Sequence, residues 1–333
     1  MSSRFGFLLK KKSFRCSIFF LLAIIIFLIG PRPEEFVLDH SWPSIPETAA
    51  DLEEAAALND AGIRLRKDNS SRIIWYNPQK RNRSRSAMLY LHGFSASWYE
   101  GEPLHRDLCK KMGMNLYLPR LASHGVESSE PMLDLRPDAL YRSALNALAL
   151  TEKLGERVII AGTSTGAALA LMLAAEFPEK VSALLLFSPN IRLADSKAWI
   201  LTQPWGLQIA RLFTGSKYRD TGEKDPVALK HWYSRYRLEA VAALQHLLEK
   251  AMTHETFARV HCPVFMGYFP RDEVVSVPAM LDMFEHLNTP AKMKTQKAFP
   301  HAGVHVITNR RFSKDYNAVF NAALLFLERQ IPE

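Results

Sequence analysis

The chain is 333 residues long, 48% hydrophobic and 23% charged, which is enough to bury a sizeable core and unlike a disordered, collagen-like or disulfide-dense sequence. Of its 42 basic residues, six (Arg4, Lys10, Lys11, Lys12, Arg15 and Arg32) fall in residues 1–32, which hold no acid, leaving 36 against 34 acidic residues elsewhere. The formal charge of +8 therefore belongs to one end, and the near-neutral remainder lacks the basic surface that a nucleic-acid partner requires.

Residues 18–29 (IFFLLAIIIFLI) are uninterrupted apolar. Five positive charges precede them and Pro31, Glu34 and Glu35 follow, the asymmetry of a segment inserted with its N-terminus inside. The run is short for a hydrocarbon core of about 30 Å and by length suits a signal-peptide core. A cut after Gly30, however, would put Leu28 where a small residue is needed and Pro31 just past the bond. Residues 1–30 are accordingly predicted to form an uncleaved membrane anchor, with Arg15 snorkelling to the interface. The rest of the chain would be exported, for example to the periplasmic face of a bacterial inner membrane, or secreted if the segment is cleaved. Residues 31–47, with Pro31, Pro33, Pro43 and Pro46, read as a tether. Cys16, Cys109 and Cys262 form neither a disulfide framework nor a zinc pattern.

Thr48-Ala-Ala-Asp51 predicts a capped helix reaching about Asn59. The short run Ile73–Tyr76 is flanked by Arg64-Leu65-Arg66-Lys67 and by Lys80–Arg85, two basic clusters read as solvated turns. Beyond them, short apolar or β-prone runs at 87–93, 115–120, 157–162, 182–188, 263–269 and 294–299 alternate with helical stretches at 103–112, 138–154 and 165–176, and a last helix is expected over 313–329. Strands apolar on both faces suit a mostly parallel sheet covered by helices, so residues 48–333 are read as an α/β domain. Residues 189–262 are too long for one crossover. They predict an inserted, mostly helical cap over about 191–258, carrying Trp199, Trp205, Phe213, Tyr218, Trp232, Tyr233 and Tyr236.

The chemistry centres on Gly162-Thr163-Ser164-Thr165-Gly166, which joins the strand ending at Ala161 to the small-residue helix Ala167–Ala175. That strand, sharp turn and helix are what a G-x-S-x-G nucleophile elbow requires. Side chains have no room at 162 and 166, and Ser164 is raised at the positive end of the helix. A serine nucleophile needs an acid, a base and oxyanion donors, in the chain order Ser, Asp or Glu, His. Asp272 follows the strand at 263–269, with Glu273 as the competing acid. His301 and His305 follow the strand at 294–299; His305 is preferred because Gly303 turns the backbone before it, whereas His301 is too close to the strand end. A metal on His301 and His305 is disfavoured because the pair lacks the glutamate of H-E-x-x-H. The oxyanion donors are expected to be the amides of Thr165 and of Phe94, in the turn after the strand at 87–93.

At these residues the sequence resembles the α/β-hydrolase superfamily, in particular the esterase/lipase branch that includes monoacylglycerol lipases and S33 serine aminopeptidase-like proteins. The resemblance spans roughly residues 73–330 and rests on His92–Ser97, Arg120–Gly125, Gly162–Gly166, Asp272–Val275 and Gly303–Val306. It implies nucleophile Ser164, acid Asp272, base His305 and oxyanion donors Phe94 and Thr165, with no cofactor and no metal. Two departures, Thr163 where many such lipases carry His and a longer spacing between Arg120 and His124, bear on substrate more than on chemistry. The leading expectation is a membrane-anchored serine hydrolase cleaving small-molecule or lipid acyl esters, with the cap aromatics forming an apolar acyl pocket for short to medium chains. The rivals are a serine aminopeptidase, which would need cap acids to hold a free amine, and a noncatalytic binding protein of the same fold.

Overall fold

The computed structural model describes residues 20–332 apart from Ala23. The charged part of the expected anchor, residues 1–19, lies outside the described residues. Residues 20–22 and 24–28 are helical, and among the described residues no helix is long and apolar enough to cross a membrane.

Seven strands form one sheet: β1 (Arg72–Ile74), β2 (Ser84–Leu91), β3 (Asn115–Leu118), β4 (Gly155–Thr163), β5 (Ala183–Phe187), and, beyond a two-stranded insertion, β8 (Val264–Tyr268) and β9 (Lys294–Ala298). Their order is β1-β3-β2-β4-β5-β8-β9. All neighbours are parallel except β1, which runs antiparallel to β3. Strand β1 overlaps the run Ile73–Tyr76 only at Ile73 and Ile74, and the sequence pattern predicts no strand there. The two-residue period of a strand explains why the central runs are apolar throughout. Ala87, Leu89 and Leu91 enter one core with the helices Pro137–Leu154 and Thr165–Glu176. Met88 and Tyr90 enter the other, with the helices Leu104–Lys111 and Tyr316–Gln330. The far edge, β9, is largely exposed and carries Lys294 and Lys297, charges that discourage further strand pairing.

Between β5 and β8 the cap contains the helices Gly206–Thr214, Pro226–His231, Leu238–Ala251 and His254–Ala258. It also holds an antiparallel pair, β6 (Tyr218–Asp220) and β7 (Arg235–Arg237), a minor element within the mostly helical cap that the sequence predicts. Tyr218 explains the pairing: its ring lies 3.9 Å beneath the Arg235 guanidinium, a cross-strand contact that a helix could not make. The cap is fastened by Tyr233, whose N–H donates to Ser95 O at 2.8 Å and whose hydroxyl donates to Val126 O. Arg66 fastens it too, donating to the carbonyls of Trp232 and Leu229. The basic cluster around Arg66 is thus not simply a solvated turn.

Residues 31–47 form neither helix nor strand and lie against the domain. Phe36, Leu38, Trp42 and Ile45 pack on the core; Trp42 meets Phe177 edge-on at 5.1 Å, His40 bonds the Tyr141 hydroxyl at 2.9 Å, and Asp39 pairs with Arg142.

Candidate active site

The strand order reverses between β2 and β4, because β3 and β4 follow β2 on opposite sides. In open α/β sheets the crevice outside the carboxyl ends at such a point is where ligands bind. The turn after β2 and the turn after β4 both open there.

The turn after β4 holds Ser164 at φ 56° and ψ −120°, a left-handed conformation that costs a non-glycine residue of order 1–3 kcal/mol. Its neighbours enforce it. A Cβ on Gly162 would stand 2.6 Å from Ala167 N, and one on Gly166 would overlap the Leu91 carbonyl. The Ser164 N–H donates to Phe187 O at 2.9 Å, and its carbonyl accepts from Ala167, Ala168 and Asn190. The elbow is therefore tied to the helix, to β5 and to the loop after β5. Ser164 is 6% exposed.

Asp272 and His305 form a buried pair, Nδ1 to Oδ2 2.6 Å. The Asp272 side chain is fully enclosed, and its Oδ1 accepts the N–H groups of Val274 and Val275 at 2.9 and 3.1 Å. Burial pushes this carboxyl up, but the bond to His305, the ring's charge and the two amides outweigh it, and its pKa lies below the ordinary aspartate value. Glu273 is exposed, and so is His301, whose N–H donates to Asp315. Ser188, at the end of β5, donates to His305 O at 2.9 Å, which brings the histidine loop to the strand end that receives the Ser164 N–H. His305 Nε2 is buried and has no hydrogen-bond partner among the described residues. No Ser164–His305 hydrogen bond is formed here.

The amides of Phe94 and Thr165 have no hydrogen-bond partner among the described residues. The first is free in the turn after β2, the second because the opening N–H groups of a helix lack intrahelical acceptors. Two histidines hold the first turn. His92 Nδ1 donates to Gly93 O, leaving Nε2 to accept from Leu121 N. His124 Nδ1 donates to Ala122 O, leaving Nε2 to accept from Ser95 N. Burial lowers both rings, His124 to about 4, so both stay neutral and able to accept. Sequence reasoning had quoted both within motifs without assigning them this task. It missed Glu100 altogether: the side chain is 2% exposed and accepts the Gly93 N–H at 2.6 Å.

The wall facing this crevice is apolar. Ala168 clusters with Leu244 and Leu248 of the cap, and Phe94, Leu193 and Met252 pack on them. Of the seven cap aromatics, Tyr236 reaches Phe94, edge-on at 5.2 Å. Tyr233 fastens the cap and Tyr218 donates its hydroxyl to Glu130 at 2.8 Å, whereas Trp199 and Phe213 are exposed. A cavity of about 440 Å³ between residues 31–36, 133–137 and the cap helices touches none of the groups above. Among the described residues, His254, Asp282 and His286 lie close enough to share a metal ion. Their two rings, however, stack 3.6 Å apart and 8° from parallel, and parallel rings cannot both aim in-plane lone pairs at one ion.

A family model described as "Alpha/beta hydrolase family" matches residues 88–313. No curated protein matches the chain. Among solved structures, one reported with LipS and LipT, two metagenome-derived lipolytic enzymes, shares 18% identity at TM-score 0.62, covering 80% of this chain and all of its own. A monoacylglycerol lipase of Paleococcus ferrophilus shares 16% at TM-score 0.59, over 78% and 98%. The putative non-heme bromoperoxidase BpoC of Mycobacterium tuberculosis shares 14% at TM-score 0.56, over 80% and 97%. At these identities the likeness is one of fold, which hosts several chemistries.

Proposed function

The chain belongs to the alpha/beta hydrolase family, and on that premise we propose that it is a serine carboxylesterase of the lipase type. Ser164 Oγ attacks an ester carbonyl while His305 Nε2 takes its proton, and Asp272 holds the ring with Nδ1 protonated and stabilises the imidazolium. The Phe94 and Thr165 amides stabilise the tetrahedral oxyanion, aided by the helix that begins at Thr165. His305 returns the proton to the leaving alcohol, and water then releases the acyl group by the same steps.

The observation that carries this reading is the Asp272–His305 pair, whose outer nitrogen has no partner among the described residues, taken together with a serine strained at a helix N-terminus. A fluorophosphonate probe should label the wild type and not Ser164→Ala. Labelling of neither would leave a noncatalytic protein of this fold. The apolar wall of Ala168, Leu244, Leu248 and Phe94 favours short to medium acyl chains. A panel of p-nitrophenyl esters against amino-acid anilides tests this, and faster anilide turnover would replace the esterase with an aminopeptidase.

Residues 1–30 anchor the enzyme to a membrane with the domain exported, a reading that rests on the charge asymmetry and the unsuitable cleavage site. The carbonyls of Ile26 and Pro31 accept bonds from Trp205 Nε1 and N–H, both at 2.9 Å, which would bring the anchor beside the cap. Intact N-terminal peptides should be recovered with the membrane fraction, whereas a mature start beyond residue 30 would exclude the anchor.

A further inference from the structure

Glu100 sits in the single turn Trp98–Gly101, enclosed by the protein, with the carboxyl against the site. Its Oε2 accepts the Gly93 N–H at 2.6 Å and the Tyr90 hydroxyl at 3.3 Å. The Tyr90 hydroxyl also bonds Thr163 Oγ1 at 2.9 Å, and Thr163 Oγ1 lies 3.4 Å from Thr308 Oγ1. Thr308 closes the ring by donating to Glu100 O at 3.0 Å. Gly93 precedes the oxyanion donor Phe94, Thr163 precedes Ser164, and Thr308 stands three residues past His305. One buried polar ring therefore touches all three catalytic turns. A Cβ on Gly93 would stand 2.7 Å from Glu100 Oε1 and 3.1 Å from Ser164 Cβ, so the carboxyl and the nucleophile share one face of that glycine.

We propose that Glu100 is a positioning residue of this site, its carboxyl holding the Gly93 peptide so that the Phe94 amide meets the oxyanion and locking the three turns together. The inference rests on the serine-esterase reading. Among the described residues no cation bonds the carboxyl. The titratable groups packed round it are Tyr90 and, beyond it, His105 from the helix Leu104–Lys111 and His92 from the turn itself, while Thr163 and Thr308 carry no charge. Burial lowers His105 to about 3 and His92 well below its ordinary value, and raises Tyr90 well above its own, so all three are uncharged through the neutral range. Burial raises Glu100 itself to about 8, against the bonds from Gly93 and Tyr90. It is therefore protonated at pH 7. On the alkaline side its ionisation puts a negative charge beside the forming oxyanion.

The test is kcat and KM for p-nitrophenyl butyrate from pH 6 to 10 with the wild type, Glu100→Gln and Glu100→Ala. Wild-type kcat should fall above about pH 8, approaching tenfold per unit. Glu100→Gln, which keeps an acceptor and cannot ionise, should lose a few-fold at pH 7 and lack the alkaline fall. Glu100→Ala should lose about 100-fold in kcat with KM within about threefold, the scale of a misplaced oxyanion donor, and the glutamine variant recovers most of that loss. An unchanged alkaline limb in Glu100→Gln, or near-wild-type kcat in Glu100→Ala, overturns the proposal. If the alanine variant fails to fold, the glutamine profile decides. Fluorophosphonate labelling of the wild type separates the failures: no label removes the esterase reading itself, whereas labelling with indifferent Glu100 variants removes only the positioning role.

Discussion

Replacing Asp272 by asparagine keeps the shape of the side chain and changes which atoms carry protons, and the surroundings determine which way the amide turns. Oδ1 accepts two backbone N–H groups, from Val274 and Val275. An amide nitrogen there would confront two buried donors, each costing about 1–3 kcal/mol when left unsatisfied. The amide oxygen therefore takes that position and the NH₂ group faces His305 Nδ1, now 2.6 Å from Oδ2. A donor facing Nδ1 demands a lone pair on it, which moves the ring proton to Nε2, the nitrogen that must accept from Ser164. Restoring the productive tautomer sets N–H against N–H and also forfeits the carboxylate that stabilises the imidazolium. The combined effect is about 10⁴-fold in kcat, or about 5 kcal/mol, the scale seen when a triad aspartate is made neutral. Steady-state turnover of p-nitrophenyl butyrate should show that loss with KM little changed and a melting temperature within a few degrees of wild type. The exposed Glu273→Gln is the control and should stay within about twofold. A Glu273 variant as damaged as Asp272→Asn, or an Asp272→Asn enzyme within tenfold of wild type, would refute the reasoning.

His305→Ala should cost about 10⁴-fold in kcat, comparable to Ser164→Ala because the two act as a unit, whereas His301→Ala should stay within about tenfold; reversed phenotypes in the same assay would reassign the base. Gly166→Ala drives a methyl into the Leu91 carbonyl, and because backbone on both sides must move, about 3 kcal/mol or more of stability should be lost, read as a fall of several degrees in thermal unfolding. Trp42→Ala removes the contacts with Phe177 and with the Lys180 ammonium, 4.9 Å from the indole, and should lower the melting point of the domain by a few degrees while leaving ester turnover close to wild type; an unchanged melting point would show that residues 31–47 contribute nothing to stability.

Features governed by rules acting over a few residues were legible in the sequence. The elbow around Ser164 is one, since steric exclusion at Gly162 and Gly166 is written within five residues and the helix Thr165–Glu176 follows directly. The cap on Asp51 N from Thr48, 3.2 Å, is another, and so are the core strands, whose uninterrupted apolar runs are what a sheet buried on both faces demands. Strand β1 was not legible, because three residues carry little periodicity and its pairing with β3 lies far along the chain. Nor was the docking of residues 31–47, whose prolines announce extension while their partners Tyr141, Arg142 and Phe177 sit on distant helices. For the acid and the base, the sequence narrowed each to two candidates a few residues apart. Only the tertiary structure enclosed Asp272 against His305 and left Glu273 and His301 in solvent, because neighbouring loop side chains point in different directions. Glu100 is the extreme case. A glutamate beside Trp98 and Tyr99 reads as a surface charge until the fold wraps β2, the elbow and the histidine loop around it, since desolvation depends on everything packed nearby and leaves no mark in local sequence.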